Sequence, residues 1–111
     1  MTPEAFVALG AGLAMVKAKV VMGAVRLALG HRTFATIGWP EVGWAVVKLA
    51  PRDQQGLVKA SPAITAEPGP RGKKGVTLVH LDGINEALAS RVLQAAWRNA
   101  GAAETPMAKA G

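Results

Sequence analysis

Residues 34–49 read FATIGWPEVGWAVVKL, and this stretch decides the fold. Apolar residues alternate with small or polar ones on both sides of a break that contains Pro40 and Gly43, which is typical of two β-strands joined by a turn. Pro40 fixes φ and lacks an N–H donor, and Gly43 tolerates positive φ. Trp39 and Trp44 flank the break. The stretch therefore predicts an antiparallel hairpin.

Outward from this hairpin, capping residues and hydrophobic periodicity predict the other elements. Thr2, Pro3 and Glu4 are typical of a helix start, while Pro51 begins a second helix that Pro62 ends. We expect helices near residues 3–13, 51–60 and 84–99, and strands at residues 20–29, 33–37, 44–49 and 76–81. This order predicts one α+β domain over residues 1–101, with an antiparallel sheet of about four strands and helices on one face. Residues 102–111 are predicted to be a flexible tail.

The composition favours a protein that binds polyanions. The 111 residues include 13 Lys and Arg against 7 Asp and Glu, which gives a formal net charge of +6 at pH 7. This excess favours nucleic acid or an anionic surface as a partner, and charge that serves only solubility is the alternative. The absence of Cys excludes disulfides and thiolate catalysis. The two histidines, His31 and His80, lack neighbouring ligands or nucleophiles, so we predict no metal, no cofactor and no hydrolytic catalysis.

Residues 8–29 are apolar enough to raise the question of a membrane segment. Lys17, Lys19 and Arg26 interrupt them, whereas a spanning helix needs about 20 nearly uncharged residues. A signal peptide carries basic residues before its apolar run, and Glu4 stands there instead. We therefore expect a folded cytoplasmic protein with no membrane partner. A monomer and a homodimer both remain open.

Several motifs follow one another in a specific order. They are the hairpin FATIGWPEVGWAVVKL, the helix start PRDQQ at residues 51–55, PGPRGKKGVTLVHL at 68–81 and LQAAWRN at 93–99, and the opening MTPEAF precedes them. In this order and spacing the sequence resembles the MmcQ/YjbR family of small bacterial proteins over residues 34–99. The resemblance implies an α+β fold likened to paired wings, with its strand pairing, and a DNA-binding function.

The segment Arg71-Gly72-Lys73-Lys74-Gly75 is the best candidate for contact with DNA. Its cations lie beside glycines that let a backbone approach phosphate closely, and no Walker spacing indicates nucleotide hydrolysis. Members of the resembled family carry an aromatic residue where Arg71 stands, so this chain gains charge and loses a stacking surface. We expect a noncatalytic protein that contacts mainly phosphates, with a merely solvated loop as the alternative. The predicted nucleic-acid-binding residues are Arg71, Lys73, Lys74, Lys48, Arg52 and Arg98.

The three tryptophans offer ring faces for a base or for a pocket wall. Trp39 and Trp44 lie beside the hairpin turn, where half-buried packing is the commoner role of a Trp. Trp97 lies on the apolar stripe of the last predicted helix, and we expect it in the core.

Residues 13–29 depart from the resembled family, whose members carry acidic residues there and then a strand with larger groups. This chain has Lys17 and Lys19 in that region, and the strand predicted over residues 20–29 is apolar on both faces except at Arg26. Such a strand is normally buried on both faces, and Ala24 and Ala28 would leave space for an apolar ligand. The predicted pocket residues are Val21, Ala24, Arg26, Ala28, Trp39, Lys17 and Lys19. The alternative function is therefore a pocket that binds an apolar small molecule or is weakly catalytic. Sequence drift, a dimer interface or a laboratory-altered scaffold would also account for the departure.

Overall fold

The computed structural model describes residues 1–104 and has an α+β fold. The helices are α1 Pro3–Ala11, α2 Pro51–Ala60, α3 Pro70–Lys73 and α4 Glu86–Glu104, and a 3-10 turn at Leu81–Gly83 precedes α4. The strands are β1 Val16–Val21, β2 Ala24–Leu29, β3 Arg32–Ile37, β4 Trp44–Lys48, β5 Ile64–Ala66 and β6 Val76–His80. They form one sheet in the order β1-β2-β3-β4-β6-β5, in which every pairing is antiparallel. The predicted class and sheet type are confirmed, but the sheet has six strands instead of about four.

Helices α1 and α4 pack on the core side of the sheet. Thr2 caps α1 as predicted, since its Oγ1 accepts a hydrogen bond from the Ala5 amide at 3.1 Å. Phe6 of α1 and Leu27 of β2 are fully buried. A Cβ at Gly10 would collide with the Cδ1 of Leu27, so the glycine lets α1 approach β2 closely without a shift of the Leu27 side chain. None of the helices in residues 1–104 combines the length and apolar character that crossing a membrane requires.

The hairpin of β3 and β4 is confirmed in the middle of the sheet. The amide of Gly38 donates to the carbonyl oxygen of Trp44 at 2.8 Å and closes the turn. Gly38 and Gly43 have φ values of +98° and +89°, which explains why glycine stands at both ends of the turn. Ala45 and Val47 are 0% exposed and face the core, and Val46 between them is also buried, so the burial of β4 does not alternate along the strand.

The single strand predicted over residues 20–29 is wrong. The chain turns at Met22 and Gly23, whose φ values of +51° and +84° are those of a two-residue hairpin turn. The apolar run therefore divides into β1 and β2, which pair with each other. The expected burial on both faces is also wrong, because Val20 is 70% exposed while Leu27 is the fully buried residue of β2.

Other differences concern short or terminal elements. The three residues of β5 were not predicted, and residues 70–73 form the short helix α3 within the predicted loop. Helix α4 continues to Glu104, past the predicted domain boundary at residue 101. The rest of the predicted tail, residues 105–111, lies outside the described residues.

A buried side chain fixes the position of α3. The Nε2 of Gln54 in α2 lies 2.9 Å from the carbonyl oxygen of Gly72, 3.2 Å from that of Val76 and 3.0 Å from the Oγ1 of Thr77. Gln54 is only 7% exposed, so these acceptors satisfy an amide that would otherwise be costly to bury. Helix α3 is thereby held against α2 and β6, although its own four residues could not form a stable isolated helix.

Candidate nucleic-acid interface on the open sheet face

The sheet has one face without α1 and α4, which we call the open face. Residues paired directly across antiparallel strands point to the same side, so the pairing register assigns each side chain to a face. The open face carries Lys17, Lys19, Val21, Ala24, Arg26, Ala28, Thr36, Trp44, Val46, Lys48, Val76, Leu78 and His80. The residues between them, such as Leu27, Ala45 and Val47, face the core.

The charge on the open face has one sign. The six strands contain no Asp or Glu, and their cations on this face are Lys17, Lys19, Arg26 and Lys48. Lys19 pairs directly with Arg26, and Lys17 lies two residues away on the same side of β1. Like charges directly across a strand pair repel each other, so this arrangement costs stability in the free protein. No ion pair among the described residues involves any of these four side chains. A bound anion would relieve the repulsion.

A groove with a volume of about 560 Å³ lies on the open face. It is lined by Val21, Met22, Ala24, Arg26, Thr33, Phe34, Ala35, Thr36, Gly38, Trp39, Val46, Lys48 and Arg71. Phe34 and Ala35 are each 1% exposed, whereas Trp39 is 58% and Met22 100% exposed. The groove thus combines buried apolar residues, two exposed apolar side chains and three cations.

A β-bulge shapes the middle of the groove. The register between β2 and β3 changes from Leu27 opposite Ala35 to Ala28 opposite Thr33, which leaves Phe34 as the additional residue. A bulge of this type increases the local twist of the strand and redirects its side chains. Phe34 thereby lines the groove and also belongs to the hydrophobic core cluster.

The groove brings together residues from both predicted sites. Of the predicted pocket residues, Val21, Ala24, Arg26 and Trp39 line it, while Ala28, Lys17 and Lys19 share the open face but not the lining. Of the predicted nucleic-acid-binding residues, Lys48 and Arg71 line it. Sequence reasoning treated the two sets as rival sites because it did not reveal that β1, β2, β3 and β4 are successive neighbours.

The α3 segment has a different structure from the predicted phosphate-binding loop. Gly72 is buried, and a Cβ there would collide with the carbonyl oxygen of Glu67, so this glycine serves chain packing. The Nε of Arg71 lies 3.4 Å from Glu67 Oε1, and the Arg71 side chain remains 66% exposed. Lys73 and Lys74 are exposed at the end of α3 and do not line the groove.

Two predicted residues lie at a separate location. Arg52 and Arg98 line a smaller depression of about 220 Å³ between α2 and α4, together with Arg91, which sequence reasoning missed. Asp53 also lines this depression and places a carboxylate among the arginines. Because α4 packs on the core side of the sheet, these residues and the open-face groove do not form one site.

The aromatic residues divide into packed and exposed groups. The rings of Trp44 and His80 stack with centroids 4.6 Å apart, and both are half-buried. Trp97, which was expected in the core, is half-buried and packs against the core cluster, and its Nε1 donates to the carbonyl oxygen of Ala14 at 2.9 Å. Trp39 is exposed and lines the groove, so it offers a ring face to a ligand.

Lys17 and Lys19 also have a role in the fold itself. Strand β1 is at the edge of the sheet, with one row of backbone groups that no other strand pairs. Lysines on an edge strand discourage pairing with a second molecule. This role suits Lys17 and Lys19 but does not apply to Arg26 and Lys48, which belong to β2 and β4 inside the sheet.

Protein-family profiles, curated proteins and solved structures give no match to this chain. The likeness to the MmcQ/YjbR family therefore rests on the sequence motifs alone.

Proposed function

We propose that this protein is a noncatalytic DNA-binding protein that contacts mainly phosphates with the open face of its sheet. The observation that carries the proposal is the set of cations on strands that contain no Asp or Glu: Arg26 and Lys48 line a groove, and Lys17 and Lys19 adjoin it. Arg71 lines the same groove and is paired with Glu67 at its rim. The resemblance to the MmcQ/YjbR family, which implies DNA binding, supports the same function.

The spread of the cations suits a phosphate backbone better than a single small anion. Lys19, Arg26 and Lys48 lie on β1, β2 and β4, and neighbouring strands are about 4.8 Å apart, so the cations extend over roughly 14 Å across the sheet. A backbone presents successive phosphates over such a length, and each neutralised phosphate releases counterions. Exposed lysines and arginines retain their mobility and contact phosphates without selecting a base sequence.

The apolar part of the groove favours a second candidate, a small molecule with an apolar body. The volume of about 560 Å³ lies within the usual range of ligand pockets, and Ala24, Phe34 and Val46 supply apolar lining. The cations would then hold an acidic group on the ligand. Weak catalysis by a desolvated lysine has less support, because Lys17, Lys19 and Lys48 are all exposed to solvent.

The first test compares two pairs of substitutions that change the charge equally. Arg26→Ala with Lys48→Ala removes two groove cations, and Lys59→Ala with Arg91→Ala removes two exposed cations from α2 and α4. Fluorescence anisotropy with labelled DNA would give the affinity at several salt concentrations. The quantity compared is the slope of log K against the logarithm of the salt concentration. We expect the groove pair to make this slope less steep by about two, and the helical pair to leave it nearly unchanged.

Two outcomes contradict the proposal. Equal losses in both double variants would indicate attraction by net charge without a defined interface. Failure of the unaltered protein to bind DNA at low salt would remove the function altogether, and binding of an apolar anionic dye in the same groove would then favour the second candidate.

A further inference from the structure

We infer that the groove binds single-stranded DNA, with one unpaired base stacked on Trp39 and the adjoining phosphates held by Arg26, Lys48 and Arg71. This inference rests on the proposed DNA-binding function and specifies the form of DNA that the site accepts.

The first step is the position of Trp39. Its side chain is 58% exposed and lines the groove, and Met22, which is 100% exposed, lines the same groove from the β1–β2 turn. Large apolar side chains that are exposed together around a concave site indicate a binding surface. Trp44 and Trp97 differ in this respect, because Trp44 stacks on His80 and Trp97 packs against the core.

The second step is the chemical match between the groove and a nucleotide. A nucleotide combines a flat apolar ring with an anionic phosphate, and the groove combines Trp39, Ala24 and Val46 with Arg26 and Lys48. An apolar ligand alone would leave the cations without a partner, and a bare phosphate would leave the apolar lining exposed. The volume of about 560 Å³ is at the scale of small-ligand pockets, which suits one nucleotide and part of its neighbour.

The third step concerns single strands and duplexes. Aromatic side chains stack on bases of single strands because each unpaired base has a free ring face, whereas a duplex covers both faces of its bases by internal stacking. Charge alone favours the duplex, which carries one phosphate per about 1.7 Å of axis against 3.4 Å for each strand. If the protein binds the single strand more tightly than the duplex, stacking and not charge must account for the difference.

The experiment measures how tightly the unaltered protein and three variants bind a labelled oligothymidylate and a hairpin duplex of equal length. The variants are Trp39→Ala, Trp39→Phe and Val42→Ala. Val42 is 88% exposed in the same turn and does not line the groove, so Val42→Ala controls for changes in the turn itself. We expect Trp39→Ala to weaken single-strand binding by about 5- to 150-fold, the range found when a stacking aromatic is removed. Duplex binding should change by less than about twofold, and Trp39→Phe should restore most of the loss, since Phe retains a ring face.

The outcomes separate this inference from the proposed function. If Trp39→Ala weakens both forms equally or neither, stacking on Trp39 is wrong, while loss of binding in the Arg26 and Lys48 double variant would still support DNA binding. If the unaltered protein binds neither form, both proposals fail. A melting curve of each variant shows whether the domain remains folded. If Trp39→Ala does not fold, Trp39→Leu decides the question, because it removes the ring face and keeps an apolar side chain of useful size. Free thymidine monophosphate is the competitor in a last measurement. If it binds as tightly as the oligothymidylate, the groove is a site for a free nucleotide and single-strand binding is overturned.

Discussion

The hairpin of β1 and β2 lies at one edge of the sheet, whereas the hairpin of β3 and β4 lies in its middle, between β2 and β6. In β4, Ala45, Val46 and Val47 are all buried, and Phe34, Ala35 and Ile37 are buried in β3. In β1, the four residues from Lys17 to Val20 are all exposed. Both hairpins line the groove, the edge hairpin with four residues and the central one with eight, but only the central one carries core packing on most of its length. Core packing is thus divided unequally between two similar elements.

The largest expected effect tests this division of stability. Phe34→Ala in β3 should lower the free energy of unfolding by about 3–5 kcal/mol, because it removes a side chain that is only 1% exposed. Val20→Ala in β1 should change it by less than about 0.5 kcal/mol, because Val20 is 70% exposed. Urea denaturation followed by tryptophan fluorescence measures both. A cost above about 1 kcal/mol for Val20→Ala would show that the edge hairpin carries more packing than its exposure indicates.

A smaller effect on stability is expected from substitutions in the turns of the two hairpins. Gly23 and Gly43 have φ values of +84° and +89°, and a Cβ at either would meet no atom within 4 Å. Gly23→Ala and Gly43→Ala therefore introduce the same backbone strain, of about 1–2 kcal/mol, without a collision. We expect Gly23→Ala to accelerate amide hydrogen exchange in β1 and β2 alone, and Gly43→Ala to accelerate it throughout the sheet. Equal exchange profiles would mean that the edge hairpin opens only when the whole domain unfolds.

The smallest effect on stability concerns the groove itself. Ala24 lines the groove, which opens to solvent and is not an enclosed cavity. Ala24→Leu should therefore change the free energy of unfolding by less than about 1 kcal/mol and should reduce the uptake of an apolar dye such as ANS. A stabilisation that grows with the filled volume, at about 24 cal/mol per Å³, would instead indicate an enclosed cavity. Dye fluorescence and a urea titration of the same variant distinguish the two results.

The contrast between the hairpins also explains what the sequence predicts well. The turn residues Pro40 and Gly43 and the apolar residues on either side of them indicate β3 and β4, because a short apolar run bounded by turn residues is typical of a strand buried within a sheet. Helix α2 begins and ends where Pro51 and Pro62 predict. The turn of the edge hairpin is hidden because Met22 adopts positive φ, which is uncommon for a residue other than Gly, Asn or Asp.

The candidate site is harder to predict, because it depends on strand order. Nothing in the local pattern shows that Arg26 on β2 and Lys48 on β4 line one groove, since β3 lies between them in the sheet. The three-residue strand β5 and the four-residue helix α3 are too short for a periodic signal. Net charge favours a polyanionic ligand but does not show where it binds. Arg52 and Arg98 lie in a different depression from Lys48 and Arg71, which becomes visible only when α4 is seen packed on the sheet.

The bonds of Gln54 have a consequence for how this protein can change during evolution. Two of its three partners are the carbonyl oxygens of Gly72 and Val76, which every residue type provides, so Gln54 holds the path of α3 without requiring particular side chains beyond the glycine at residue 72. Residues 71, 73 and 74 can therefore be exchanged while the segment keeps its place. Helix α3 is thus a part of the surface whose exposed side chains can change while the Gln54 contacts maintain the fold.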